Sequence, residues 1–123
     1  MTRRDSPEIG MHSEIQRATA IDRLIHEPSR MMIMAILYAG EQASFLYLLR
    51  ETGLTKGNLS NHLARLEQGG YIRVEKSFRG KVPQTLLSLT SEGKSAFEIY
   101  RKQLKLLAET LPTSEQEPSG NPG

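Results

Sequence analysis

The sequence predicts a mainly α chain of the α+β class, with one two-stranded β-hairpin set between short helices and a long final helix. Three observations carry this. Apolar residues recur at three- and four-residue spacing through most of the chain. The period switches to two at Ile72, Val74 and Phe78, directly after Gly69-Gly70. It returns to three and four after Thr90.

A length of 123 residues allows one domain with a modest core. Polar residues cluster at the ends, so residues 13–111 form the expected domain. Residues 1–12 read as a flexible arm and residues 112–123 as a disordered tail. There is no cysteine, hence no disulfide framework and no thiolate metal site. No apolar N-terminal run resembles a signal peptide. The longest apolar run, Met31 to Leu37, is far too short to span a bilayer. A cytoplasmic protein with no membrane partner is expected.

Residues 13–26 read as a helix, capped by Ser13, with an apolar stripe of Ile15, Ala18, Ile21, Leu24 and Ile25. Pro28 then imposes a break. Residues 29–39 form a second helix. Its MMIMAIL run is apolar on nearly every side, so it is expected to be the buried central helix, stopped by Gly40. Residues 44–51 are a short third helix, with Phe45, Leu48 and Leu49 turned inward and Gly53 at its end. Thr55 caps a fourth, which runs to Gln68. Two short helices joined by a few residues containing glycine are a helix-turn-helix.

Ile72 to Phe78 is the outgoing strand, Arg79-Gly80-Lys81 the turn, and residues 85–89 the returning strand. Pro83 cannot donate a ladder bond, which places it at an edge or near the tip. Thr90 caps the last helix, residues 91–111. There Phe97, Tyr100, Leu104, Leu107 and Leu111 follow spacings of three, four, three and four, as in a coiled-coil seam.

The chemistry concentrates between Leu54 and Thr90. Six basic residues stand there against two acidic ones, in a chain whose net charge is only +2. A local basic excess attracts a polyanion to one place. On a helical wheel, Leu59, Leu63 and Leu66 share one arc. Gly57, Asn61, Ala64 and Gln68 lie opposite, flanked by Asn58, Ser60 and Arg65. An ordinary solvated face carries Glu–Lys pairs at i,i+4; this one does not. Small residues let a helix approach a DNA groove closely. Asn pairs with adenine and Arg with guanine in the major groove. Thr55 and Lys56, with the free N–H groups of the helix start, suit phosphate oxygens. On the hairpin, Arg73, Lys76, Arg79 and Lys81 suit the backbone or the minor groove.

His62 sits about 60° from the leucine stripe, a boundary position from which it is a candidate phosphate contact. Ser60, Asn61 and His62 are sequence neighbours that point in different directions on a helix, so they form no catalytic triad. The carboxylates are scattered, and no glycine-rich phosphate loop is present. The three histidines, His12, His26 and His62, lack ligand spacing. The expectation is a protein that is not an enzyme and holds no metal or cofactor.

The segments HEPSRMMIMAIL, LLRETGLTKGNLSNHLARLEQGGYIRVEK and FRGKVPQTLLSLTSEGKSAF make residues 20–105 resemble the winged-helix transcriptional regulators of the MarR and ArsR type, in particular the small stand-alone ones. The resemblance implies a winged helix-turn-helix with the hairpin as wing. It implies a homodimer whose helices 55–68 enter successive major grooves of a pseudo-palindromic operator in double-stranded DNA. Wing residues 71–89 would then lie on flanking DNA. It also implies dimerisation through the first and last helices: Ile15, Ile21 and Leu24 with Phe97, Tyr100, Leu104, Leu107 and Leu111. Metal sensing by Cys or His clusters does not carry over. The chain leaves little room for the ligand pocket of larger relatives, so a small-molecule effector is left open.

A repressor fits better than an activator, because nothing resembles an activation surface. Two other readings stay open. A nonspecific architectural binder would hold any duplex similarly. A winged-helix docking module would expose an apolar patch on the helix or wing, for which the sequence offers only Phe78 and Tyr71.

Overall fold

The computed structural model describes residues 20–114. Among the described residues two units separate: Asp22–Tyr100, and a second to which residues 20–21 and 101–114 belong. The elements are α1 (Pro28–Gly40), β1 (Gln42–Ser44), α2 (Phe45–Thr52), α3 (Lys56–Gln68), β2 (Ile72–Arg79), β3 (Val82–Leu89) and α4 (Ser91–Thr110). The strands form one antiparallel sheet in the order β1-β3-β2.

Each helix start has a local cause. Pro28 occupies the first turn of α1, where its missing N–H costs nothing, and Glu27 Oε1 accepts from Arg30 N at 2.8 Å. Ser44 Oγ accepts from Tyr47 N at 3.0 Å to open α2. Thr55 Oγ1 accepts from Asn58 N at 3.1 Å to open α3. Between α2 and α3 only Gly53, Leu54 and Thr55 intervene, and Gly53 takes the left-handed conformation at φ 71° that ends α2.

The expected helix over residues 13–26 is not what its described part shows. Residues 13–19, Ile15 among them, lie outside the described residues. Residues 21–26 form a turn instead. The Asp22 carboxylate accepts from Leu24 N (2.9 Å) and Ile25 N (3.3 Å), and His26 N donates to Asp22 O. Local aspartate bonds of this kind compete with the helix ladder.

The core of the Asp22–Tyr100 unit gathers Ile25, Ile33, Met34, Leu37, Leu48, Leu59, Leu66, Leu87 and Tyr100, all essentially closed to solvent. The α1 helix is not buried all round, as its composition suggests. It packs on α2, α3 and β3 through one stripe, and Met32 and Tyr38 stand exposed on the other side.

β1 has no periodicity of its own. Its three residues become a strand by pairing with Leu86–Ser88 of β3. The hairpin is longer than its alternation predicts, closing through a two-residue turn at Gly80-Lys81 with Gly80 at φ 65°. Pro83 lies inside β3, opposite Phe78. β1 has already ended at the level of Leu86, so the missing N–H of Pro83 interrupts no bond to it.

One corner fixes the sheet to α4. Thr90 Oγ1 donates to Gly70 O (2.6 Å) and accepts from Gly93 N (2.9 Å), while Thr90 N donates to Tyr71 O (3.0 Å). Gly93 is buried so tightly that a methyl group there would run into the Tyr71 carbonyl. The Tyr71 hydroxyl donates to Asp22 Oδ2 at 2.5 Å. Burial first, and then this bond, push its pKa up to about 12.

Candidate nucleic-acid interface

The α3 helix is held from one side and free on the other. Leu59, Leu63 and Leu66 are buried, and Thr55, Lys56, Gly57, Asn58, Ser60, Asn61, Ala64 and Arg65 are all exposed. The face predicted from the wheel is therefore assembled, with one acid at its edge. The one acid of α3, Glu67, turns towards the cleft between α3 and the wing, beside Val74 and Lys76.

His62 is the exception among the α3 candidates. It is half-buried and turned back to the start of α1. Arg30 Nη1 donates to its Nδ1 at 3.0 Å, and Glu27 Oε1 lies 3.8 Å away. Arg30 is itself anchored, Nε donating to Leu24 O at 2.6 Å. His62 thus ties the helix to α1 and does not join the exposed face.

The wing candidates Arg73, Lys76, Arg79 and Lys81 are all exposed, but they do not share a face. Strand alternation puts Val74, Lys76 and Phe78 on one side of the hairpin and Arg73 and Arg79 on the other. Val74 and Lys76, with Thr85 and Leu87, line the cleft that meets Ser60, Leu63 and Ala64 of α3. Lys76 is therefore on the α3 side. Arg73 lies at the wing's base on the opposite side.

Sequence reasoning missed a neighbouring groove of about 730 Å³ between the start of α2 and the wing edge. Phe45, Leu46, Tyr47 and Val82 give it an apolar floor, and Arg50 and Arg79 lie on its lining. The Arg50 guanidinium stacks over the Tyr47 ring at 5.3 Å. Leu46 and Val82 follow no buried stripe, and that misfit was the available signal. The apolar surface near the wing is thus larger than Phe78 and Tyr71 alone, and Tyr71 does not belong to it, being half-buried and bonded to Asp22.

The dimerisation candidates fare unevenly. Leu24 packs against Gly69 within the chain, and Ile21 is half-buried. Tyr100 is 1% exposed; its hydroxyl donates to Met31 Sδ at 3.1 Å, with His26 Nδ1 at 3.0 Å. The Phe97 ring stacks on Tyr38 at 5.1 Å. Tyr100 serves the chain's own core and is closed to a partner, while Phe97 is half-buried beside the exposed Tyr38. Leu104 and Leu107 are half-buried and Leu111 is exposed. The apolar residues that α4 leaves open also include Ile99 and Leu106, 57% and 41% exposed, which the seam did not contain.

Among the described residues no group of three or more His, Asp or Glu side chains could hold a metal ion. None of the described helices is long and apolar enough to cross a membrane.

Comparison with known proteins agrees with this geometry. An uncharacterized protein of Methanocaldococcus jannaschii, MJ0432, is 33% identical over 90 residues, covering 72% of this chain and 97% of that one. The structure of a transcriptional regulator homologue from Pyrococcus horikoshii OT3 superposes with a TM-score of 0.73 at 25% identity, over 82% of this chain and 99% of that one. YusO from Bacillus subtilis shares the fold at a TM-score of 0.60 and 19% identity, over 88% and 82% of the two chains. Other solved structures similar to this chain are described as transcriptional regulators, one of them from the ArsR family. The family profile described as winged helix DNA-binding domain matches residues 29–108, and the chain belongs to that family.

Proposed function

We propose that this protein is a sequence-specific, DNA-binding transcriptional regulator that works as a homodimer. The carrying observation is the exposed face of α3: amides, a hydroxyl, a guanidinium and two small residues, with a single acid at its edge, held out by three buried leucines. In this reading α3 lies in the major groove. Asn61 and Arg65 contact base edges, and Asn58 and Ser60 flank them. Thr55 and Lys56 meet phosphates at the helix start. Arg79 and Lys81 meet flanking DNA from the wing tip. The partner is a pseudo-palindromic duplex, and the role is repression by occupancy. The dimer contact draws on the apolar residues α4 leaves accessible, Leu104, Leu107 and Leu111, together with Ile99 and Leu106.

The groove beside the wing favours a second reading, a docking module for another protein. One experiment separates them. Duplexes are selected by the purified protein from a random library, and the winners are titrated against salt. A regulator enriches a two-fold symmetric sequence bound orders of magnitude above background. Binding without enrichment supports an architectural protein, and no binding at moderate salt supports the docking reading.

A further inference from the structure

The most exposed large apolar side chain among the described residues is Phe78, at 67%. It stands on the wing's α3-facing side, since Val74 and Lys76, its neighbours at alternate positions, line the cleft against α3. Phe78 lies one step further out, towards the turn. Pro83 is its direct cross-strand partner, so a phenyl and a pyrrolidine ring stand side by side on one face. The two-residue turn keeps this end of the ribbon narrow. Arg79 and Lys81 border it, and no acid occurs between Lys76 and Thr85.

A bare phenyl held out on a cationic tip wins nothing for the fold. It matches a partner that is anionic outside and apolar inside, which describes a duplex: phosphates along the rims and stacked bases between. Minor-groove proteins use Phe and Pro in this way, as wedges that partly unstack a base step. We infer that Phe78, backed by Pro83, is a wedge for a base step flanking the α3 site, so that the wing bends the duplex there and reads its deformability. This inference rests on the DNA-binding reading. It adds a source of specificity that needs no hydrogen bond to a base: pyrimidine–purine steps, which unstack most easily, are favoured at a fixed distance from the α3 contacts.

The test uses the full chain and the random-library selection, run in parallel with Phe78→Ser and Phe78→Leu. Phe78 is 67% exposed and leans on little besides Pro83, so both variants fold, which near-unchanged thermal melting verifies. The wild type should enrich TA or CA/TG steps at a fixed flanking spacing. Energy transfer between dyes at the duplex ends should report a bend of roughly 20–90°, and 2-aminopurine at that step should brighten on binding. Phe78→Leu should keep both signals. Phe78→Ser should keep the central sequence and lose the flanking preference and most of the bend. An equal bend and step preference with Phe78→Ser, or a straight duplex under the wild type, overturns the wedge and leaves the regulator reading standing. If the wild type binds no duplex, the wedge and the regulator reading both fall, and Phe78 belongs to a protein contact.

Discussion

The helices α3 and α4 carry the same kind of apolar repeat and use it differently. In α3, Leu59, Leu63 and Leu66 all enter one core, and the opposite face is left wholly free. In α4 the repeat is divided. Tyr100 is sealed in the core and Phe97 leans on Tyr38, while Leu104 and Leu107 stay half-covered and Ile99 and Leu106 face solvent. A three-four spacing identifies which residues share a face. It does not identify what covers that face, because a core and a partner helix ask for the same spacing. The proposal that α3 is a reading helix therefore rests on its polar side: small residues and amides, with one acid at the edge.

The largest effect that would break this contrast is in the core. Leu59→Ala should cost about 2–5 kcal/mol, because it empties a fully buried site. Leu106→Ala, on the open side of α4, should stay within about 0.5 kcal/mol in dilute protein, where the proposed dimer is dissociated, and cost more where it is assembled. Urea unfolding of the two variants measures both. Equal losses would mean that Leu106 is covered in solution.

The next effect belongs to the glycine that lets α4 approach the sheet. Gly93→Ala pushes a methyl group into the Tyr71 carbonyl, a backbone atom that cannot swing away. A destabilisation of about 1–3 kcal/mol is expected, read from the urea midpoint. A neutral result would show that the corner at Thr90 yields easily.

On the free face of α3, Arg65→Ala should weaken binding to the selected duplex by roughly 1–3 kcal/mol and relax the preference at one base position. Stability should be unchanged, since Arg65 is exposed. An equal loss on every duplex would make Arg65 a backbone contact. The Tyr71–Asp22 bond has a smaller and pH-dependent signature. Tyr71 holds its proton up to about 12 in the fold, against an ordinary value of 10.0. The native state thus binds the proton more tightly, and its stability is full below pH 10 and declines between about 10 and 12. Tyr71→Phe should flatten that decline in alkaline melting curves, though not abolish it, because burial raises the Tyr100 hydroxyl as well.

The legible parts of this fold are those with a local cause. Ser44 and Thr55 cap the helices they were expected to start, Gly53 ends α2, and the switch to period two locates the hairpin. The α3 face was legible because three leucines define its back. The illegible parts depend on distant residues. β1 exists only through Leu86–Ser88. His62 is drawn inward by Arg30 and Glu27, thirty-two and thirty-five positions away in sequence. Residues 21–26, read as the end of a helix, are instead a turn held by the single carboxylate of Asp22. Arg73 and Lys76 look alike in a basic run; alternation sends them to opposite sides, but only the cleft between wing and helix shows that Lys76 is the one facing α3.

Gly57 gives the sharpest form of the comparison. Gly93 in α4 is required by packing, but a Cβ on Gly57 would meet nothing within 4 Å. Its backbone is helical, so the fold has no use for a glycine there. Gly57→Ala should therefore stabilise the protein by about 0.5–1 kcal/mol, since glycine within a helix is costly relative to alanine. If the face of α3 is shaped for close approach to a duplex, the same methyl group should weaken binding while it strengthens the fold. Opposite signs in melting temperature and in affinity for the selected duplex would locate the reason for Gly57 outside the chain. A gain in stability with unchanged affinity would leave Asn61 and Arg65 as the contacts that matter, with the start of α3 standing clear of the groove.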